Sequence, residues 1–307
     1  MTAIATSEAP SRTGVAAAPQ PRRGRRTWTR FILPTYTALV LVYLVLPILV
    51  MILYSFNSSG FKKVSFRWLG FTAKWYSPGE LFAIPDLTGA LKNSLFIAAV
   101  STIIAVVLGT PIALALVRYR FRGKGVTEFV MFLNIAAPEI VLGAALLSLF
   151  VFLNVARGMT TIIFAHVMFN IAFVAVTVRA RLTGFEREIE EAAQDLGANP
   201  WTTFWTVTLP IIFPGVLAGA LLALALSIDD FIITNFTAGG TLTFPLWIWG
   251  ASRVGIPPQV FVLGTLIFAA GVSIAIVNLL WQRRSSPLRP VPEDEGVVGA
   301  GFAVRAQ

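Results

Sequence analysis

Six long apolar runs dominate the pattern of hydrophobic and polar positions along the chain. Each is close to the roughly 20 residues that a helix needs to cross the hydrocarbon of a bilayer. The runs cover residues 31–56, 94–117, 129–153, 159–178, 211–236 and 259–281. The pattern therefore predicts an all-α integral membrane protein with six transmembrane helices.

Polar tails flank the apolar region on both sides. Residues 1–30 are rich in Ala, Pro, Ser and Arg and lack apolar periodicity, so we predict a disordered basic tail there and a second tail at 285–307. The membrane domain is predicted to occupy 31–284. Its first run is longer than the roughly 7–15-residue core of a signal peptide, which favours a retained membrane anchor over a cleaved or twin-arginine export signal.

The distribution of Lys and Arg predicts how the chain is oriented. Near the span ends, clearly more Lys and Arg residues lie on the side of the two termini than on the opposite side. Cytoplasmic loops carry such an excess. We therefore predict that both termini and the segment 179–210 are cytoplasmic, and that the long loop 57–93 is external, with Trp68, Trp75 and Tyr76 as an interfacial aromatic belt.

Composition agrees with a lipid-embedded chain. Hydrophobic residues make up 56% and charged residues 13% of the sequence, and the mean hydropathy is +0.76, whereas soluble proteins carry about a quarter charged residues. The net charge of +9 lies in clusters beside the apolar runs, which favours anionic lipid headgroups over nucleic acid as partner.

The sequence lacks the residues that several kinds of site require. The chain has no cysteine and one histidine, His166, which excludes thiolate metal sites and histidine-pair zinc motifs. No phosphate-binding G-x-x-x-x-G-K-[ST] motif is present either. We therefore predict a non-catalytic chain without cofactor or metal, and we expect His166 to hydrogen-bond across helices rather than to relay protons.

The segment 179–210 carries an unusual concentration of acid and a helical periodicity. Its acidic residues are Glu186, Glu188, Glu190, Glu191 and Asp195. Apolar residues recur at i, i+3, i+4 and i+7 on one helix face, and they are Ile189, Ala192, Ala193 and Leu196. Gly197 is predicted to cap this helix, and a second short helix, 201–207, is predicted to end at the break expected from Pro210.

This segment resembles a known family motif. Glu191-Ala192-Ala193, three residues, Gly197, nine residues and then Val207-Thr208-Leu209-Pro210 are similar to the EAA loop of binding-protein-dependent ABC importer permeases, which often have Ile in place of Val207. The resemblance implies that about 186–206 is the loop that couples the chain to an ATPase. It assigns that role to Glu191, Ala192, Ala193, Gly197, Leu209 and Pro210. An ordinary amphipathic interfacial helix would explain the periodicity but not these spacings.

Further motifs resemble the second permease subunit of spermidine/putrescine importers. They are Pro138-Glu139-Ile140-Val141, His166, Arg181 to Phe185, Asp195 to Ala198, and Ser227-Ile228-Asp229-Asp230. The resemblance implies a polyamine solute and a place in a prokaryotic cytoplasmic (inner) membrane. It also implies a second similar permease, two cytoplasmic ATPase subunits that bind ATP and Mg, and an extracytoplasmic solute-binding protein as partners.

Three acidic residues are candidates for the solute path. Asp229 and Asp230 lie in an apolar span, and Glu139 follows a helix-breaking proline; intramembrane acids are expensive and commonly functional. Together with Phe231, Trp247 and Trp249, these acids suit an alkylammonium ion. Alternatively, the acids pair with arginines or hold two permeases together.

Other functions remain open from the sequence alone. The same coupling loop serves importers of many small solutes, since a fold does not fix specificity. A secondary transporter or channel that uses Asp229, Asp230 and His166 as an ion path would work without ATP, but no inverted repeat of interrupted spans is visible. A membrane-embedded enzyme would need a further catalytic group beside these acids.

Overall fold

The computed structural model describes residues 29–58 and 67–285. The predicted tails therefore lie outside the described residues, apart from the few at their inner ends. The chain divides into two units, residues 1–50 and 51–307. The described part of the first unit consists of helix α1, Thr29–Ser55, which contains Pro34 and Pro47 and extends across the unit boundary.

The described residues of the second unit form a helical bundle. Its helices are α2 (Pro78–Leu81), α3 (Pro85–Arg118), α4 (Lys124–Ala136), α5 (Glu139–Phe152), α6 (Met159–Leu182), α7 (Glu188–Asp195), α8 (Pro200–Thr203), α9 (Leu209–Asp229), α10 (Ile232–Thr237), α11 (Phe244–Val254) and α12 (Pro258–Ser285). A short 3₁₀ turn covers Lys74–Tyr76 and a π-helical turn covers Phe204–Thr208. Within the described ranges there is no strand, which agrees with the predicted all-α fold.

Five stretches of the described chain are long and apolar enough to cross a membrane, and the number is six if a bent pair of helices forms one span. The bend lies at the break expected from Pro138 within the predicted span 129–153, where α4 and α5 meet at 109°. Ala137 at the junction is extended, with φ −69° and ψ 138°. Proline lacks an N–H and disfavours helical geometry in the preceding residue, so Pro138 separates the two helices.

The predicted break at Pro210 is wrong. Residues Pro200–Asp229 form one continuous helical stretch through α8, the π-helical turn and α9. In the π-helical turn the N–H of Leu209 donates to the carbonyl of Phe204, so the hydrogen-bonding register widens just before the proline. The wider turn accommodates the missing N–H of Pro210 without ending the helix.

Close packing of α3, α6 and α9 forms the centre of the bundle. A Cβ atom added at Gly109 would lie 2.9 Å from Val174 Cγ1, and one at Gly215 would lie 2.6 Å from Arg181 Cβ. A Cβ atom added at Gly219 would lie 3.4 Å from Val174 Cα. These glycines let the helices approach one another closely inside the chain.

Part of the described loop 57–93 is packed against the bundle, whereas Trp68 stays 44% exposed. Trp75 is 6% exposed, and its Nε1 donates to the carbonyl of Asn57 at 3.0 Å. Gln259 at the start of α12 donates to the carbonyl of Glu80 at 3.2 Å. The aromatic-belt prediction is therefore wrong for Trp75, because α11 and α12 fold over this ring and remove it from the surface.

Candidate coupling surface and solute path

Gly197 ends α7 in the way the sequence predicts. Its φ is +93°, a left-handed conformation that side chains disfavour. Gly197 N donates to the carbonyl of Gln194 at 2.9 Å, and Ala198 N donates to the carbonyl of Ala193 at 3.2 Å. Since an added Cβ would meet nothing within 4 Å, glycine is needed here for the backbone turn and not for close packing.

The apolar face of α7 is uncovered in this chain. Ala192 is exposed, Ile189 is 45% exposed and Leu196 is 90% exposed. Trp201, in the next helix, is 70% exposed. Among the described residues, α7 contains no buried position. Exposed apolar surface that is rimmed by charge is typical of a protein–protein contact, so this face has the character of a docking surface.

Two neighbouring acids of α7 point in different directions. Glu191 pairs with Arg187 at 3.0 Å, and both side chains are more than half exposed. Glu190 instead lies against the bundle, where its Oε1 is 3.3 Å from Arg118 Nη2 and accepts a hydrogen bond from Thr208 Oγ1 at 2.8 Å. Sequence reasoning missed Arg118 and Thr208, because both are distant from Glu190 along the chain.

Leu209 and Pro210 take up the start of α9. Leu209 is half-buried against the central cluster of the bundle, and Pro210 is exposed. The structure thus places these two residues at the root of the segment, behind the uncovered face of α7. The coupling role of the six candidate residues stays a prediction.

Asp230 is a capping residue, in contrast to the regular helix expected across 211–236. Helix α9 ends at Asp229, and Asp230 is extended with φ −61° and ψ 120°. Its carboxylate accepts hydrogen bonds from Thr234 N at 2.7 Å, Thr234 Oγ1 at 2.6 Å and Ile233 N at 3.3 Å. These bonds satisfy the first free N–H groups of α10, and the Asp230 side chain is 6% exposed.

His166 connects four helices through one buried polar network. Its Nδ1 lies 2.6 Å from Ser227 Oγ, and its Nε2 lies 3.2 Å from Asp230 Oδ2 and 2.9 Å from Thr234 Oγ1. Ser227 also contacts Ser101 Oγ at 3.1 Å. The predicted hydrogen bonding across helices is present, and the partner of Asp230 is a histidine and not an arginine.

Asp229 faces a cavity that Asp230 does not line. The cavity has a volume of about 500 Å³ and lies between the end of α9, α11 and α12. Its lining includes Asp229, Phe231, Phe244, Ile248, Trp249 and Ser252. The rings of Phe231 and Trp249 have centroids 5.2 Å apart. An exposed carboxylate beside two aromatic rings can hold an organic cation by charge and by cation–π contact.

The remaining predicted residues lie either near this cavity or in the cluster that packs against the loop 57–93. Glu139 is exposed at the first position of α5 and close enough to Asp229 and Asp230 for electrostatic interaction with both. Trp247 packs against the buried cluster around Trp75. The guanidinium of Arg253 lies 5.1 Å from the centroid of Trp249, so a cation already occupies part of this aromatic surface.

Comparison of the sequence with known families identifies the class of protein. Residues 105–286, more than half of the chain, match the family described as binding-protein-dependent transport system inner membrane component. The chain belongs to this family. As a family member it is a multi-pass permease of the cytoplasmic membrane, which confirms the resemblance seen in the EAA-type segment.

Curated relatives cover most of this permease. It is 42% identical over 236 residues to the putrescine transport system permease protein PotI of Escherichia coli (strain K12), which covers 74% of this chain and 82% of the relative. It is 38% identical over 245 residues to the spermidine/putrescine transport system permease protein PotC of the same strain, covering 80% and 91%.

Solved structures share the permease fold at low sequence identity. A chain of a bacterial ABC transporter involved in the import of the acidic polysaccharide alginate aligns with a TM-score of 0.61 at 17% identity, covering 88% of this chain and 100% of that chain. A chain of the inward-facing MetNI methionine ABC transporter aligns with a TM-score of 0.51 at 18% identity, covering 65% and 94%.

Proposed function

We propose that this permease is the subunit through which an ATP-driven importer moves a polyamine, such as putrescine or spermidine, across the membrane. The observation that carries the solute assignment is the cavity at Asp229, where a carboxylate and two aromatic rings face one space. Relatives at 42% and 38% identity are named for putrescine and spermidine/putrescine transport, which supports the same class of solute.

The proposed assembly adds the subunits that an ATP-driven importer needs besides this permease. In the proposed complex a second similar permease completes the pathway, and two ATPase subunits bind ATP and Mg on the cytoplasmic side. An extracytoplasmic solute-binding protein delivers the polyamine. Both termini of the permease and its α7 segment face the cytoplasm, in keeping with the excess of Lys and Arg there.

Transport would proceed by alternating access. Closure of the ATPase pair displaces the docked segment 186–206 and shifts the pathway from inward to outward facing, because ATP binds the closed ATPase state more tightly. The uncovered apolar face of α7 supports this docking, since Leu196 and Trp201 have large exposed side chains. The accessible carboxylate at Asp229 binds the cation loosely enough to release it inward.

Co-purification of the tagged permease with its genomic neighbours tests the proposal, followed by an ATPase assay with and without the binding protein. We expect an ATPase subunit to co-purify, and Gly197→Asp to abolish stimulation, because it adds a side chain at a left-handed position and a charge to the docking surface. Gly184→Asp is the matched control, since Gly184 is also open to solvent and has no positive φ.

The opposite outcome has a clear form. If the permease purifies alone and moves ions or polyamine in liposomes without ATP, it is an ion-coupled secondary transporter and the proposal is wrong. Uptake assays with putrescine, spermidine and a neutral sugar decide the solute class. Uptake of the sugar alone would contradict the polyamine assignment while leaving the importer assignment intact.

A further inference from the structure

Helix α7 is attached to the bundle through a polar contact at Glu190. Within the described chain, α7 has no buried residue, so apolar packing does not fasten it. The Glu190 side chain is 15% exposed and the Arg118 side chain 12% exposed. Thr208, which donates to the same Glu190 oxygen, is 4% exposed. One carboxylate thus joins the end of α3, helix α7 and the turn that precedes α9.

The Arg118 side of this contact lies against an aromatic ring, and its Nε and Nη2 atoms are buried without a hydrogen-bond partner among the described residues. Arg118 is the last residue of α3, and its guanidinium lies 4.9 Å from the centroid of the Phe185 ring. Phe185 itself packs against the central cluster of the bundle. Removal of one partner from a mostly buried ion pair leaves an uncompensated charge, which is strongly unfavourable. Arg118 and Glu190 therefore favour moving together over separating.

A cavity lies beside the ion pair, so close side-chain packing does not connect α3 to the coupling segment there. The cavity has a volume of about 310 Å³, and Ala115 and Arg118 of α3 face Gln194 and Phe204 across it. Open space transmits no displacement between α3 and the coupling segment. The polar bridge through Glu190 spans the gap.

The far end of α3 holds the beginning of α11. Asn93 Nδ2 donates to the carbonyl of Leu242 at 2.9 Å, and Ser94 Oγ accepts a hydrogen bond from Phe244 N at 2.9 Å. Ser94 and Arg118 are 24 residues apart, or about 36 Å along a helix at 1.5 Å per residue. A single helix therefore connects the contact with α7 to the contact with α11.

Helix α11 forms one wall of the cavity at Asp229. Phe244, Ile248 and Trp249 all lie on this helix and line the cavity. A displacement of α3 along its axis is thus applied, through Ser94, to the helix that faces Asp229. Helix α9 also joins the coupling segment to Asp229, through the π-helical turn Phe204–Thr208. It is a second connection beside α3, which itself contains Pro111.

We propose that Arg118 and Glu190 are positioning residues that make α3 follow the coupling segment, so that α3 carries its displacement to the α11 wall of the solute cavity. The inference rests on the proposed function, in which an ATPase moves the segment 186–206. It adds a route for that movement which neither the EAA-type motif nor the acidic residues of the path contain.

The test compares solute transported per ATP hydrolysed in the complete reconstituted complex. Glu190→Gln should lower this ratio about tenfold, within the range of coupling between linked sites, while ATPase association stays unchanged because Glu190 faces away from the docking surface. Glu128→Gln is the matched control, since it makes the same change in an ion pair, with Arg179 at 2.9 Å, that lies outside the segment 186–206. The double exchange Arg118→Glu with Glu190→Arg should recover most of the ratio.

Each outcome has one meaning. A wild-type ratio in Glu190→Gln, or a double exchange no better than its single variants, would overturn the inference and leave the proposed function standing. Absence of ATP-driven uptake in the wild-type complex would instead contradict the proposed function. Ser94→Ala, which removes the acceptor for Phe244 N at the far end, should also lower the ratio without altering ATPase association.

A distance measurement tests the contact without disturbing it. The chain has no cysteine, so Tyr119→Cys and Asp195→Cys place two spin labels at exposed positions on either side of the ion pair. We expect the same inter-label distance in nucleotide-free and ATP-trapped complexes, and a broader distribution when Glu190→Gln is added. A shift in the wild-type distance between the two states would show that α3 does not follow α7, and would overturn the inference.

Discussion

At the residue scale, two adjacent carboxylates have different environments. Asp230 is nearly inaccessible and bonded to His166, Thr234 and Ile233, whereas Asp229 is exposed in the cavity beside Trp249. A regular helix would also have turned them about 100° apart, but the end of α9 separates them further. The sequence predicted both residues as candidates for the solute path, and it could not show which carboxylate would cap the next helix.

We expect Asp229→Asn to lower polyamine uptake about tenfold, equivalent to about 1.4 kcal/mol of lost interaction, while the protein stays folded. The reason is that the substitution removes the charge from an exposed cavity residue and leaves the helix end intact. Uptake in proteoliposomes measures the effect. Asp86→Asn, at an exposed position in the first turn of α3, is the control and should leave uptake unchanged.

We expect Asp230→Asn to act on stability instead. A buried group that loses a hydrogen-bond partner costs about 1–3 kcal/mol, and Asp230 serves three donors and the His166 ring. The thermal unfolding midpoint of the detergent-purified permease should fall. An unchanged midpoint combined with lost uptake would instead place Asp230 in the solute path and contradict its assignment as a helix cap.

At the element scale, hydrophobic runs locate helices better than they locate bends. The runs reveal each long helix of the described residues, because about 20 consecutive apolar residues are typical of a membrane-spanning helix. The prolines predict breaks at both Pro138 and Pro210, but only Pro138 ends a helix, because a π-helical turn precedes Pro210. Backbone hydrogen bonding of this kind is set by tertiary packing and leaves no signal in hydropathy.

We expect Gly215→Ala to destabilise the bundle by about 1–3 kcal/mol, the usual cost of overpacking. The new Cβ would lie 2.6 Å from Arg181 Cβ, so α6 and α9 would have to separate. Gly89→Ala is the matched control in α3, because nothing lies within 4 Å of its Cβ position. Thermal unfolding of both variants measures the difference, and equal midpoints would contradict the close contact of α6 and α9.

At the scale of the whole molecule, the described residues of the second unit form a closely packed helical bundle that presents an unpartnered segment. The spacing of the EAA-type motif predicted where this segment lies, because the motif consists of neighbouring residues. The attachment of the segment through Arg118, Glu190 and Thr208 could not be predicted in this way, since its members lie on three separate elements. Long-range polar contacts are the part of the site that local patterns do not contain.

We expect Leu196→Glu to abolish ATPase association and leave the thermal midpoint of the isolated permease unchanged. Leu196 is 90% exposed, so the substitution leaves the packing of the fold intact, and in the proposed complex it adds a charge to the docking surface. Leu69→Glu, at a 52% exposed leucine outside the coupling segment, is the matched control. Pull-down with the ATPase subunit measures the result, and retained association would contradict docking on α7.

The uncovered face of α7 also bears on the lifetime of the protein. While no partner covers α7, Leu196 and Trp201 are exposed, and such apolar surface is what chaperones and proteases recognise. In the proposed complex, docking of the ATPase would remove that surface by mass action. The cellular amount of the permease would then follow the supply of ATPase subunits, with surplus copies degraded.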